Sequence, residues 1–296
     1  MTKEDVTEAP SVYVRDVARS RPALAMCVTT LAAAGIAYWP ALAFWWSRWF
    51  EKESFYSHGP FVPLASIFII WFNRKSIGRL LLQPSRLGYP ILLFAILLGW
   101  FAWMGASASV TGFTLPIFLF GAIVAIAGFE VAKSFSFPLF LLWFAAPPPE
   151  SVLSVVSFKA QMLSINLATA GLNLVGAEAV SQGSHIALPG LIVDVGGACS
   201  GFRLVVSMLA IATFFAYIRK GTLYGKVILV AFALPLSIAV NSVRIMLISI
   251  VGRYWGISAL KIAHDFTGYA LLLVTAALLL LFARLVGCAK YKEMPA

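Results

Sequence analysis

From residue 227 to residue 251 the chain carries a single charged side chain, Arg244, in an otherwise apolar run. Such a run exceeds the roughly 20 residues that cross the hydrocarbon core of a bilayer, and it constrains the fold more than any other feature. It has company: residues 204–218 and 266–286 are comparably apolar, and 61% of the chain is hydrophobic against 11% charged. A soluble domain carries about 25% charged residues. With a mean hydropathy of +0.91, the chain reads as an all-α, multi-span membrane protein. Its net charge of +10 is therefore loop charge that orients spans, and nucleic acid is not an expected partner.

In order, residues 1–21 form a polar tail ending in Arg15, Arg19 and Arg21. Residues 22–287 form the membrane domain and 288–296 a second tail. About eight spans are expected, near 23–45, 61–72, 89–104, 112–127, 134–146, 200–218, 227–251 and 266–286. The fifth is stopped by Pro147, Pro148 and Pro149, since proline cannot continue a helix. Residues 151–176 have helical spacing but include Ser, Asn, Gln and Lys159. With Leu153, Val156, Ala160, Leu163, Leu167 and Ala170 as an apolar stripe, they are expected to form an interfacial helix. The runs 180–188 and 191–195 read as a short β-hairpin turning at Pro189-Gly190. Residues 252–263 are expected to be a loop.

An even number of spans puts both termini on one side, where fifteen of the twenty-two Lys and Arg then lie. The positive-inside rule makes that side cytoplasmic. Cys199 at the start of the sixth span, Arg244 in the outer part of the seventh and His264 at the start of the eighth then share the opposite face, with His58 and the hairpin.

The centre of this face is D-V-G-G-A-C-S-G-F-R (194–203), where glycines leave room for a substrate backbone beside a thiol. A cation or base near Cys199 would favour the attacking thiolate. If a helix starts near Cys199, Arg203 shares its face. Arg244 is costly in an apolar run and is expected to face a polar cavity. There it is suited to stabilise an oxyanion, with Asn241 on the same helical face. Its structural alternative is pairing with Asp265 or Asp194. His264 is a candidate acid/base, Asp265 a candidate cap for the eighth helix, and Asp194 a candidate partner of Arg203. His58 and His185 compete for the base role, and Arg253 reads as an interfacial anchor. Cys27 and Cys288 read as small buried hydrophobes. The three histidines lack metal-ligand spacing, so neither a metal nor a cofactor is expected.

Five motifs in order, Y-S-H-G-P-F-V-P (56–63), H-I-A-L-P-G (185–190), A-C-S-G-F-R (198–203), N-S-V-R (241–244) and H-D-F-T-G-Y (264–269), resemble the exosortase/archaeosortase family of membrane-embedded cysteine transpeptidase-like enzymes. The resemblance implies Cys199, Arg244 and His264 as the catalytic set. It also implies a bacterial inner-membrane enzyme whose substrates carry a C-terminal PEP-CTERM signal: a short motif, a transmembrane helix and a basic tail. Such enzymes often accompany exopolysaccharide production. The residue before Ala198-Cys199, commonly acidic in the family, is Gly197 here. A different class, a non-catalytic component of exopolysaccharide export or a small transporter, would use Arg244 and His264 to line a polar path. A transporter would be expected to show two repeats with half-broken spans, and no such repeat is visible.

Overall fold

The computed structural model describes residues 12–17, 21–51, 54–105, 107–196 and 201–292. It is mostly helical, with one small antiparallel sheet. The chain divides into two compact units, 1–45 with 63–146 and 294–296, and 46–62 with 147–293.

The first unit holds α1 (Val14–Val17), α2 (Arg21–Ala37), most of α3 (Trp39–Phe50) and α4 (Phe61–Phe72), and α5 (Arg74–Gly78). It continues with α6 (Gly88–Met104), α7 (Ala108–Ala127) and α8 (Phe129–Leu141), then a 3-10 turn at Leu142–Phe144. Its densest packing is the α6–α7 hairpin, where small residues let backbones meet. A Cβ on Gly88 would lie 2.4 Å from the Ala125 nitrogen, and one on Gly121 3.0 Å from the Leu92 nitrogen. Ser107 caps α7 by accepting from the Val110 N–H (3.4 Å). Two hydrogen bonds link polar groups inside: Tyr38 and Thr114 share one of 2.9 Å, and the Ser66 hydroxyl donates to the Pro138 carbonyl (2.9 Å).

The second unit contains α9 (Glu150–Leu174), strands β1 (Val180–Gln182), β2 (His185–Leu188) and β3 (Leu191–Asp194), α10 (Phe202–Ile218) and α11 (Leu223–Leu285). Helix α11 is two arms joined at Gly256, whose φ of 82° and ψ of 176° interrupt the helix. The arms fold back on each other. Leu229 and Ala233 of the first pack with Leu279 and Ala283 of the second and with Met208 and Ala212 of α10. The Phe232 and Phe282 rings stack at 3.8 Å. Beyond this zone Ile245 and Ile248 join Ile186 and Val193 of the sheet and Ile165, Ala168 and Leu172 of α9 in a second core.

Among the described residues, four helices are long and apolar enough to cross a membrane, five if the bent pair 28–37 and 39–50 counts as one span. Helices Phe61–Phe72, Gly88–Met104 and Phe202–Ile218 are apolar but shorter. The expected count of eight spans is thus not confirmed. The first expected span is broken by a 73° bend after Ala37. The fifth, 134–146, is the 13-residue α8 with its 3-10 turn and is not among the long helices.

Helix α9 is long enough to span, so length and composition do not single it out as interfacial. Its burial also differs from expectation. The packed side is Leu153, Gln161, Ser164, Ile165, Ala168 and Leu172, while Val156, Leu163 and Leu167 of the expected stripe are exposed. The packed side thus mixes apolar residues with Gln161 and Ser164, and the exposed side carries Lys159 and Asn166 beside its apolar residues.

Three further expectations change. The hairpin is a three-stranded meander, because Gly183 at φ 59° permits a second tight turn between Gln182 and His185. Residues 252–263 are helical apart from Gly256, so the loop reduces to one residue. The helix runs through position 265, which is therefore no helix start and cannot be a cap.

Candidate active site

The candidate site lies wholly in the second unit. Cys199, with Gly197, Ala198 and Ser200, falls outside the described residues, but both flanks of this segment are held. Before it, the Val195 N–H donates to the Ser184 carbonyl (3.0 Å), and the Val195 carbonyl accepts from the buried Gln161 amide of α9. After it, Gly201 adopts φ 74° immediately before α10. A Cβ there would sit 2.7 Å from Asn241 Nδ2, so the backbone is pressed directly against that amide. The left-handed conformation and the close approach both require glycine. Because α10 begins at Phe202, the expected helical-face relation between residues 199 and 203 is not carried by this helix.

Asn241 is buried and stands three residues before Arg244 on the first arm of α11. The fold-back at Gly256 brings Arg244 opposite the second arm. There its Nη2 donates to the His264 carbonyl (3.0 Å) and its Nε to the Thr267 hydroxyl (3.3 Å). Thr267 in turn donates to the Ala263 carbonyl (2.7 Å). Gly268 lies alongside the guanidinium, where a Cβ would come to within 3.4 Å of Nη2, an ordinary contact. A guanidinium has five N–H donors, so this half-buried arginine keeps donors beyond its helical partners. Both partners are neutral, and Asp194, one of the carboxylates considered for it, faces His185 across β2–β3 at 3.5 Å.

His185 also shares a hydrogen bond with Ser184 (3.2 Å), so this competitor for the base role is engaged in the sheet. Arg203 occupies the first turn of α10, its Nε and Nη2 shielded from solvent. His264 is half-buried. The Asp265 side chain lies outside the described residues. Arg253, read as an anchor, donates to the Ala177 carbonyl (2.8 Å) at the entry to the sheet. Cys288 is fully buried, as expected of a packing residue, whereas the Cys27 side chain is not among those described.

The Y-S-H-G-P segment reaches the same neighbourhood. Tyr56 packs with Leu153 and with Phe202, the first residue of α10, and the Phe55 ring meets Phe202 edge-on at 5.7 Å. Burial pushes the Tyr56 phenol's pKa upward. His58 lies beside the Tyr56 ring at 5.5 Å. A cleft of about 200 Å³ runs past Tyr56 to Arg48 and Glu150, whose side chains pair at 2.8 Å.

The structure thus brings together Asn241, Arg244, His264 and the end of the segment that carries residue 199. It leaves Asp194 paired elsewhere. Sequence reasoning assigned no role to Gln161, Thr267 or Gly268. The spacing of Thr267 from His264, one helical turn, was the available signal.

A family model described as transmembrane exosortase (Exosortase_EpsH) matches residues 45–281. The chain belongs to the transmembrane exosortase family. No curated protein and no solved structure gave a match. The family match encloses every element of the candidate site and each of the five motifs.

Proposed function

We propose that this exosortase-family protein is a cysteine protease/transpeptidase of a bacterial inner membrane. It cleaves proteins with a C-terminal PEP-CTERM-like signal at the outer face and passes them to an acceptor. In this reading the Cys199 thiolate adds to the substrate carbonyl and Arg244 stabilises the resulting oxyanion. The tetrahedral adduct expels the amine, which takes a proton from His264. The thioester left on Cys199 is then opened by water or an acceptor amine, whose proton returns to His264. Asn241 positions the backbone at Gly201; Arg203 lines the approach, and Asp265 is a supporting group. The distribution of Lys and Arg supports cytoplasmic termini and an outward-facing site.

The observation that carries this proposal is the double fastening of Arg244's helix. One turn away Asn241 abuts Gly201, while Arg244 itself grips the His264 backbone. The test is cleavage of a substrate with a tripartite C-terminal tail by the full chain in lipid nanodiscs. Cys199→Ala is expected to abolish cleavage, and His264→Ala to prevent acyl-enzyme from accumulating. Wild-type cleavage by Cys199→Ala would overturn the mechanism.

A further inference from the structure

The cleft of about 200 Å³ beside the Y-S-H-G-P segment carries hydrogen-bonding groups that the fold leaves open. Its walls include Phe55, Tyr56, Pro147, Pro148 and Leu153, all of one compact unit. Tyr56 is 5% exposed. Its backbone N–H donates to the Ser54 hydroxyl oxygen (2.9 Å), whereas its own hydroxyl has no hydrogen-bond partner among the described residues. A buried phenol usually finds such a partner. Burial also raises its pKa, which keeps it a neutral O–H donor under physiological conditions.

A second wall is backbone. The chain enters α9 through Pro147, Pro148 and Pro149, the last at φ −53° and ψ 142°, close to the polyproline conformation. Proline has no N–H, so this stretch offers carbonyl oxygens only. The Pro149 carbonyl is taken by the Val152 and Leu153 N–H groups, both at 3.0 Å. Among the described residues, the carbonyls of Pro147 and Pro148 accept no hydrogen bond.

The remaining polar groups of the cleft are engaged with one another. Arg48 bridges Glu51 (2.9 Å) and Glu150 (2.8 Å), and the Ser54 hydroxyl is taken up by the Arg48 carbonyl and the Tyr56 N–H. Lys52 and Glu53 lie outside the described residues, and recognition is assigned to the neutral groups alone. One donor and two acceptors among apolar side chains match the alternating C=O and N–H groups of an extended polypeptide. The cleft also adjoins the candidate site. Tyr56 packs on Phe202, the residue after Gly201, where the segment carrying residue 199 ends.

We infer that this cleft holds an extended stretch of the substrate polypeptide beside the scissile bond. The Tyr56 hydroxyl donates to a substrate carbonyl, and the Pro147 and Pro148 carbonyls accept substrate N–H groups. That the polypeptide is a substrate rests on the proposed function; the hydrogen-bonding match does not.

The test uses the full chain in lipid nanodiscs and a fluorescent protein fused to a tripartite C-terminal tail. Two readouts are taken: cleavage kinetics, and equilibrium binding to the chain carrying Cys199→Ala. Tyr56→Phe removes the hydroxyl and keeps the ring on Phe202. It is expected to raise KM and the dissociation constant about tenfold, the scale of one lost hydrogen bond, with kcat and the thermal midpoint unchanged. With p-benzoylphenylalanine in place of Pro148, light should crosslink the fusion to the chain, and excess unlabelled tail peptide should suppress the crosslink. Unchanged KM and binding in Tyr56→Phe, a loss of kcat alone, a lowered midpoint or a missing crosslink would each overturn the cleft's role while Cys199-dependent cleavage stands. Weakened binding in Tyr56→Phe together with wild-type cleavage by Cys199→Ala would keep the cleft and remove the mechanism proposed above.

Discussion

Gly201 shows how a single missing side chain positions a site. Its φ of 74° costs a non-glycine residue about 1 kcal/mol or more. A new Cβ would also meet Asn241 at 2.7 Å from Nδ2, 2.8 Å from Cγ and 3.1 Å from Cβ. Gly201→Ala is therefore expected to lower the thermal midpoint by several degrees and to abolish cleavage. Adding Asn241→Ala should restore part of the midpoint, because Cγ and Nδ2 go while Cβ stays, but not the activity. Arg244 makes the complementary case. Lysine cannot reproduce a grip in which Nε and Nη2 reach two acceptors at once. Arg244→Lys should cut the cleavage rate by about a hundredfold or more, the scale of losing a donor to an oxyanion, with the midpoint little changed. Equal losses of midpoint and rate would assign Arg244 a structural role.

At the level of elements, the turn in α11 decides which residues meet. Arg244 and His264 are twenty positions apart, and they face each other because Gly256 reverses the chain between them, at φ 82° and ψ 176°. Few residues other than glycine adopt this conformation, and forcing one there costs on the order of 1–3 kcal/mol. Nothing lies within 4 Å of the Cβ position, so Gly256→Ala isolates the backbone effect from any clash. Its expected result is a lower midpoint and reduced cleavage; an unchanged midpoint would mean that the turn tolerates other backbone angles. The sheet beside it follows similar logic. The turn at Gly190 was legible from L-P-G, whereas the one at Gly183 was hidden because S-Q-G-S reads as part of a longer run.

For the whole molecule, the testable property is sidedness. If the termini are cytoplasmic and the site outward, a cysteine at exposed Ser181 in β1 reacts with a membrane-impermeant maleimide in intact cells. One at exposed Lys290 reacts after permeabilisation alone. Both substitutions belong in a chain otherwise lacking cysteine. The reverse pattern would place the site in the cytoplasm and remove the support that the charge distribution lends to the proposed function.

Composition and hydropathy were sufficient to establish a multi-span helical protein, because water cannot solvate so much apolar surface and a bilayer accepts it. Motif order sufficed to point to the family, since each motif is a local string of residue types. Helix starts were legible to within a few residues where polar segments meet apolar runs, as at Phe202. Tertiary structure decided the rest. Apolar periodicity in α9 did not identify the packed side, where Leu153 is buried but Val156, Leu163 and Leu167 are exposed, because lipid and protein core both accept apolar side chains. Likewise, Asp194 was an equal candidate partner for two arginines until strand register set it opposite His185. The meeting of Asn241 with Gly201, and of Arg244 with His264 and Thr267, depends on one reversal at Gly256 and one left-handed residue at Gly201. Those are long-range consequences of backbone geometry, which residue spacing alone does not encode.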